Sequence, residues 1–144
     1  MATIRLEIVT PAKKTYSEDV DMVTIPGVDG EYGVLPLHVP LITQLKPGEL
    51  RIQKGGQETR LATGGGFAEV MPDRVSILTD AALLESDIDE SAAQAAIDRA
   101  KAALEDKSIG TEEQAAAEAA IANSLAALHV KRRRHGQGVP DTLH

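Results

Sequence analysis

Near Ser86 the spacing of apolar residues changes from every second position to a helical repeat, so the chain must be built as two unlike parts in series. Before that point Ile4, Leu6 and Ile8 alternate with Arg5 and Glu7, the pattern of a half-buried strand over 3–9. The alternation returns at 21–25, 49–53, 59–63, 67–71 and 74–79, in stretches rich in Val, Ile, Leu and Thr. Turn signals stand between them: Pro26-Gly27, Asp29-Gly30, Lys46-Pro47-Gly48, Gly55-Gly56 and Pro72-Asp73. Many short strands at this spacing predict a mainly β sandwich or barrel over 1–86.

After Ser86 the residues become alanine-rich helix formers. Asp87 with Glu90 three residues on has the spacing of a capping box, which predicts a first helix from there to about residue 106. Ser108-Ile109-Gly110 interrupts it, and Thr111 with Gln114 repeats the capping spacing to open a second helix over 111–134. So short a connection folds the two helices back on each other as an antiparallel hairpin, 87–135, and Gly136, Gly138 and Pro140 leave 136–144 as a disordered tail. The hairpin seam is read as Ile121, Leu125 and Leu128 against Ile97, Leu104, Ala93 and Ala100. Each CH₂ missing from such a seam forgoes about 0.8 kcal/mol, so an alanine-lined contact is a weak one between individually good helices.

Composition narrows what the two parts can do. Aromatic residues make up 2% of the chain and the net charge is -7, which denies nucleic acid both a stacking platform and a basic surface. With no cysteine there is no disulfide, thiolate metal site or thiol nucleophile. His38, His129, His135 and His144 lack metal-ligand spacing, and no Ser/His/Asp set or serine elbow occurs, so no catalytic residue, metal or cofactor is assigned. Gly64-Gly65-Gly66 precedes a strand and no Lys-Ser/Thr follows, which makes it a bulge or close backbone approach and not a phosphate loop.

Two features invite partners. His38 lies between Pro36 and Pro40 in a rigid loop, either as a surface histidine or as a preorganised contact. Lys131, Arg132, Arg133 and Arg134 form the strongest charge run of an acidic chain. They favour a helix C-terminus by about 0.3 to 1 kcal/mol, or a contact with an acidic protein surface.

The stretches Gly30-Glu31-Tyr32-Gly33-Val34-Leu35-Pro36-Leu37-His38-Val39-Pro40-Leu41, Lys46-Pro47-Gly48-Glu49-Leu50-Arg51-Ile52 and Gly65-Gly66-Phe67-Ala68-Glu69-Val70-Met71-Pro72 resemble the epsilon subunit of F-type ATP synthases. That family's pattern runs Gly-Glu-Leu-Gly-Ile-Leu-Pro-Gly-His-x-Pro-Leu and later Gly-Gly-Phe-x-Glu-Val-x-Pro. The order of body then hairpin agrees, and so does the early Val9-Thr10-Pro11. The resemblance implies a non-catalytic rotor subunit of the central stalk, with the sandwich held by the gamma subunit and resting on the c-subunit ring through Glu31 and the His38 loop. Leu37 stands where the family usually has Gly.

The resemblance further implies that the arm lies folded or extends toward the alpha and beta subunits to restrain ATP hydrolysis, where Lys131 to Arg134 would meet acidic segments. Some members bind ATP through Ile/Leu-Asp-x-x-Arg-Ala at the start of the first helix. Here Ile88 and Asp89 remain, Ala92 replaces the arginine, Arg99 persists, and 119–128 contain no arginine, so ATP sensing is expected to be weak or absent. The absence of a targeting segment suits a bacterial subunit, peripheral to the cytoplasmic face of the inner membrane. The competing expectation is a helical-hairpin adaptor that binds a coiled coil outside any ATP synthase, which would have no need of the His38 loop.

Overall fold

The structure, a computed structural model, describes residues 2–136, so 137–144 of the expected tail and the Arg134 side chain lie outside the described residues. Alternating aliphatic residues build β1 (Ile4–Val9), β2 (Lys14–Val20), β3 (Met22–Gly27), β4 (Gly30–Val34) and β5 (Leu41–Leu45). They continue through β6 (Gly48–Lys54), β7 (Gln57–Thr63), β8 (Gly66–Val70), β9 (Arg74–Thr79) and β10 (Ala82–Leu84). The order is β10-β7-β6-β3-β5-β8-β9-β1-β2, with β4 added on β3. Its neighbours are antiparallel except β1 and β9, which run parallel with Leu6 opposite Val75.

The expected β-sandwich followed by a helical hairpin is what forms. Strands β2, β4, β5 and β10 were not expected from the alternation, and they wrap the same core. Inward side chains are aliphatic throughout, among them Ile4, Leu6, Ile8, Ile25, Leu50, Ile52, Leu61 and Ile77, while Phe67 is 55% exposed. Gly55 and Gly56 have φ of 58° and 78°, which is the geometry a two-residue hairpin needs to follow the right-handed twist of β6 and β7. Gly66 answers to sterics: a Cβ there would sit 1.9 Å from the Leu78 carbonyl oxygen. The triple glycine is thus a close backbone approach within the sheet.

The first helix starts two residues later than its sequence suggests. Glu85–Asp87 make one 3₁₀ turn and Ile88 is extended, its side chain buried with Ala62, Ala127 and Val130. Burying Ile88 moves the cap to Asp89, whose carboxylate accepts from the Ala92 amide at 3.2 Å, and α1 runs Glu90–Glu105. Asp106 then accepts from the Ser108 amide at 2.9 Å and closes the turn. The second expected capping box does not form either. Thr111 is already helical, the Gln114 amide donates to Gly110 O at 3.0 Å, and the Gln114 side chain turns to Glu118. Helix α2 spans Thr111–Gly136.

Helix α2 faces two partners, α1 along one side and β6 with β7 along another. That double duty corrects the seam. Ala117, Ala120 and Ser124 line the clefts shared with α1, Ala127 and Val130 turn to the sheet, and Leu125 is left 53% exposed. On α1, Ile97 and Ala100 are buried as expected. The arm therefore lies folded against the body through a contact made largely of methyl groups.

Candidate functional site

Two exposed apolar surfaces stand on the sandwich. On the outer face of β5, β8 and β9, Ile42, Phe67 and Leu78 project into solvent, with Phe67 directly opposite Leu78 in the register. Strand alternation dictates this, because Ala68, Val70 and Ile77 take the inner face. Gln44 and Glu69 share this face, so it presents large apolar side chains among polar ones, a composition suited to contact with another protein.

The second surface is the loop after β4. Its Leu35, Leu37 and Val39 are exposed, Leu37 by 80%. The His38 amide donates to Leu35 O at 3.2 Å, closing a turn with Pro36 second and Leu37 third at φ 69°. That is a type II turn, whose third position favours glycine. Leu37 adopts the glycine conformation without being glycine. The Leu37 amide donates to Pro72 O at 2.8 Å, and His38 Nδ1–H donates to the Val39 carbonyl at 2.7 Å. These bonds tie the loop to itself and to the segment after β8.

Glu31 and His38 are not brought together. Glu31 sits opposite Pro26 near the start of β4 and accepts from Arg51 at 3.0 and 3.4 Å, whereas the His38 loop begins past the other end of the strand. At about 3.3 Å per residue, β4 separates them by roughly 10 Å or more.

The basic run folds back on its own body. Arg133 pairs with Glu49, Lys131 Nζ donates to Glu85 O at 3.1 Å, and Arg132 is exposed. Glu49 also accepts from Arg51 at 3.0 Å, and Arg60 pairs with Glu58 at 2.9 Å and with Glu85 at 3.9 Å. Burial alone would push the Arg51 guanidinium down. Its hydrogen bonds to Glu49 and Glu31, together with their charges, hold it above its ordinary value. Glu49, Arg51 and Arg60 were missed from sequence, since their alternation reads as an outer, solvated face.

Ile88, Asp89 and Arg99, expected as what is left of a nucleotide motif, stand in structural surroundings. Ile88 is packed, Asp89 caps α1, and Arg99 lines a shallow groove between the helices with Glu113. Asp89 and Ala92 line a cavity of about 300 Å³ between the arm and β7, whose charged lining residues are Asp87 and Asp89. Among the described residues no group of His, Asp and Glu is clustered to hold a metal, and no helix is long and apolar enough to cross a membrane.

A β-sandwich body with outward apolar surfaces and a helical arm folded against it has the form of a non-enzymatic docking module. Residues 3–85 match the family described as ATP synthase, Delta/Epsilon chain, beta-sandwich domain. An ATP synthase epsilon chain from Dehalococcoides mccartyi is 42% identical over 139 residues, 95% of this chain and 99% of that one. One from Herpetosiphon aurantiacus is 44% identical over 134 residues, covering 93% and 98%. Among solved structures, a chain in the Euglena gracilis mitochondrial ATP synthase (OSCP/F1/c-ring) superposes with a TM-score of 0.70 at 30% identity, over 90% of this chain and 83% of that one. The chain belongs to the epsilon-chain family of ATP synthase and is a non-catalytic subunit, catalysis lying elsewhere in the complex.

Proposed function

We propose that this chain is a rotor subunit of the central stalk, coupling the gamma subunit to the c-subunit ring during proton-driven ATP synthesis. The observation that carries the reading is the pair of exposed apolar surfaces on one body, the Ile42, Phe67 and Leu78 face and the Leu35, Leu37 and Val39 loop that leads into β5. The strand face suits the gamma subunit, a broad protein surface. The loop, with His38 inside it, suits the ring, and Glu31 lies at the other end of β4 as a second contact.

The folded arm is the regulatory half. Extended, it would carry Lys131 to Arg134 to acidic segments of the alpha and beta subunits and restrain hydrolysis. The methyl-lined contacts of α1 and α2 suit a device whose two states lie within a few kcal/mol of each other. ATP is not its signal. The cavity beside Asp89 and Ala92 carries two aspartates, and each missing charge-assisted bond removes about 1.5 to 3 kcal/mol from the roughly 8 kcal/mol of a micromolar site. The subunit works at the cytoplasmic face of the bacterial plasma membrane, held there through its complex.

Removal of 87–144 from the reconstituted enzyme tests the regulatory role, with hydrolysis expected to rise and unchanged hydrolysis counting against it. Phe67→Asp tests docking: the variant should fail to co-purify with the gamma subunit while its core strands remain protected from hydrogen exchange. Calorimetry with ATP should give no micromolar heat.

A further inference from the structure

The sheet face beneath α2 is charged. Along β6 and β7, Leu50, Ile52 and Leu61 point into the core, and Glu49, Arg51 and Arg60 point outward under the arm. Glu49 is the most deeply placed, its side chain 5% exposed. One of its oxygens receives both Arg51 and Arg133, and the other, Oε2, is buried without a protein partner.

The ion pairs within the body are complete without the arm. Glu49 keeps Arg51, Arg51 keeps Glu31, and Arg60 keeps Glu58. Polar contacts join the basic run of α2 to the rest of the chain at Arg133, with Glu49, and at Lys131, with the Glu85 carbonyl. When α2 lifts, Glu49 is not stranded as a lone buried charge, and the uncovered face takes up water readily. Arg133 is different. It is 43% exposed, sits in the last turn of α2, and parts from Glu49 when that end of the helix lifts away toward an outside carboxylate.

We propose that Glu49 is an internal stand-in for the acidic partner of the basic run, a carboxylate that occupies Arg133 while the arm is folded and sets the population of that state by competition. The identity of the partner rests on the function proposed above, but the latch itself does not.

Hydrogen exchange on the full-length isolated chain tests it. Glu49→Gln and Arg133→Gln should each speed exchange of α2 amides by about threefold to tenfold, since a half-exposed pair is discounted for screening. The double variant should exceed neither single by much, Arg132→Gln should match the unaltered chain, and core strands should stay protected in all of them. Unchanged α2 exchange in both singles, additive effects, or an equal response to Arg132→Gln would overturn the latch. In the assembled enzyme Glu49→Gln should deepen the restraint on hydrolysis, because it frees Arg133 for the partner. If exchange responds and hydrolysis does not, the latch stands and the regulatory reading fails.

Discussion

Replacing Leu37 isolates a strain that the turn after β4 imposes on a residue with a side chain. A non-glycine residue in the left-handed region carries about 1 to 2 kcal/mol of steric cost. Leu37 carries it at φ 69° while leaving most of its surface in water, so packing returns little. Leu37→Gly removes the strain but also loosens the unfolded chain, an opposing effect of about 0.4 to 1 kcal/mol. Leu37→Ala keeps the strain and discards the same side-chain contacts. The informative quantity is therefore the difference between the two variants: glycine should exceed alanine by about 0.8 kcal/mol, close to 3 °C in the melting of the body for a chain of this size. Scanning calorimetry of both proteins measures it, and Leu37→Asn should fall between. Equal melting temperatures, or a more stable alanine variant, would show that the turn does not hold Leu37 in that conformation.

Gly66→Ala should be severe, because its Cβ would meet the Leu78 carbonyl of a paired strand and neither backbone can give way; loss of several kcal/mol in a urea melt is expected, and a change under about 1 kcal/mol would contradict the geometry. Asp89→Ala should cost about 1 kcal/mol of arm stability by uncapping α1, read as faster exchange of the first-turn amides including Ala92, and an unaffected first turn would argue against the cap. Glu18 is held below the usual carboxylate range, first by its hydrogen bond to Lys54 and then by that residue's charge, while the same bond raises Lys54. The carboxylate's contribution is present above its unfolded value and is lost as pH falls through the lower folded one; that of Lys54 is present below its ordinary value and lost as pH rises through the raised one. An NMR titration should place Glu18 low and Lys54→Met should return it to the usual range, an unmoved midpoint refuting the pairing.

How much of this could be read from the chain depends on where each residue's neighbours come from. Strands such as β1 and β9 are legible because one face is buried and one is wet, which forces alternation. Strand β2, Lys-Thr-Tyr-Ser-Glu-Asp-Val, lies at the end of the sheet order with most of its side chains exposed, so little alternation is imposed on it. β5 is hidden by Pro40, and β10 has three residues. The helix cap differs from the local pattern for a tertiary reason: Asp87 with Glu90 has the capping-box spacing, but burial of Ile88 beside Ala62 keeps it extended and leaves Asp89 as the cap. Leu125 is exposed because α2 serves two surfaces with alanines, and hairpin periodicity alone carries no sign of the second surface. The basic run was legible as a charge and illegible as a contact, since Glu49 lies 84 positions away in a strand.

The parallel pairing of β1 with β9 bears on how the protein is made. Strand β1 pairs on one edge with β2, which follows it at once, but its other edge cannot be completed until residues 74–79 have been made, so that side of the ladder stays open through most of the body's synthesis. The β6–β7 hairpin, closed by a two-residue turn, needs no such wait and is formed before α2 arrives. A nascent chain cut short of residue 79 would be a body with an open, aliphatic edge, and chaperone dependence should fall sharply once that point has been passed.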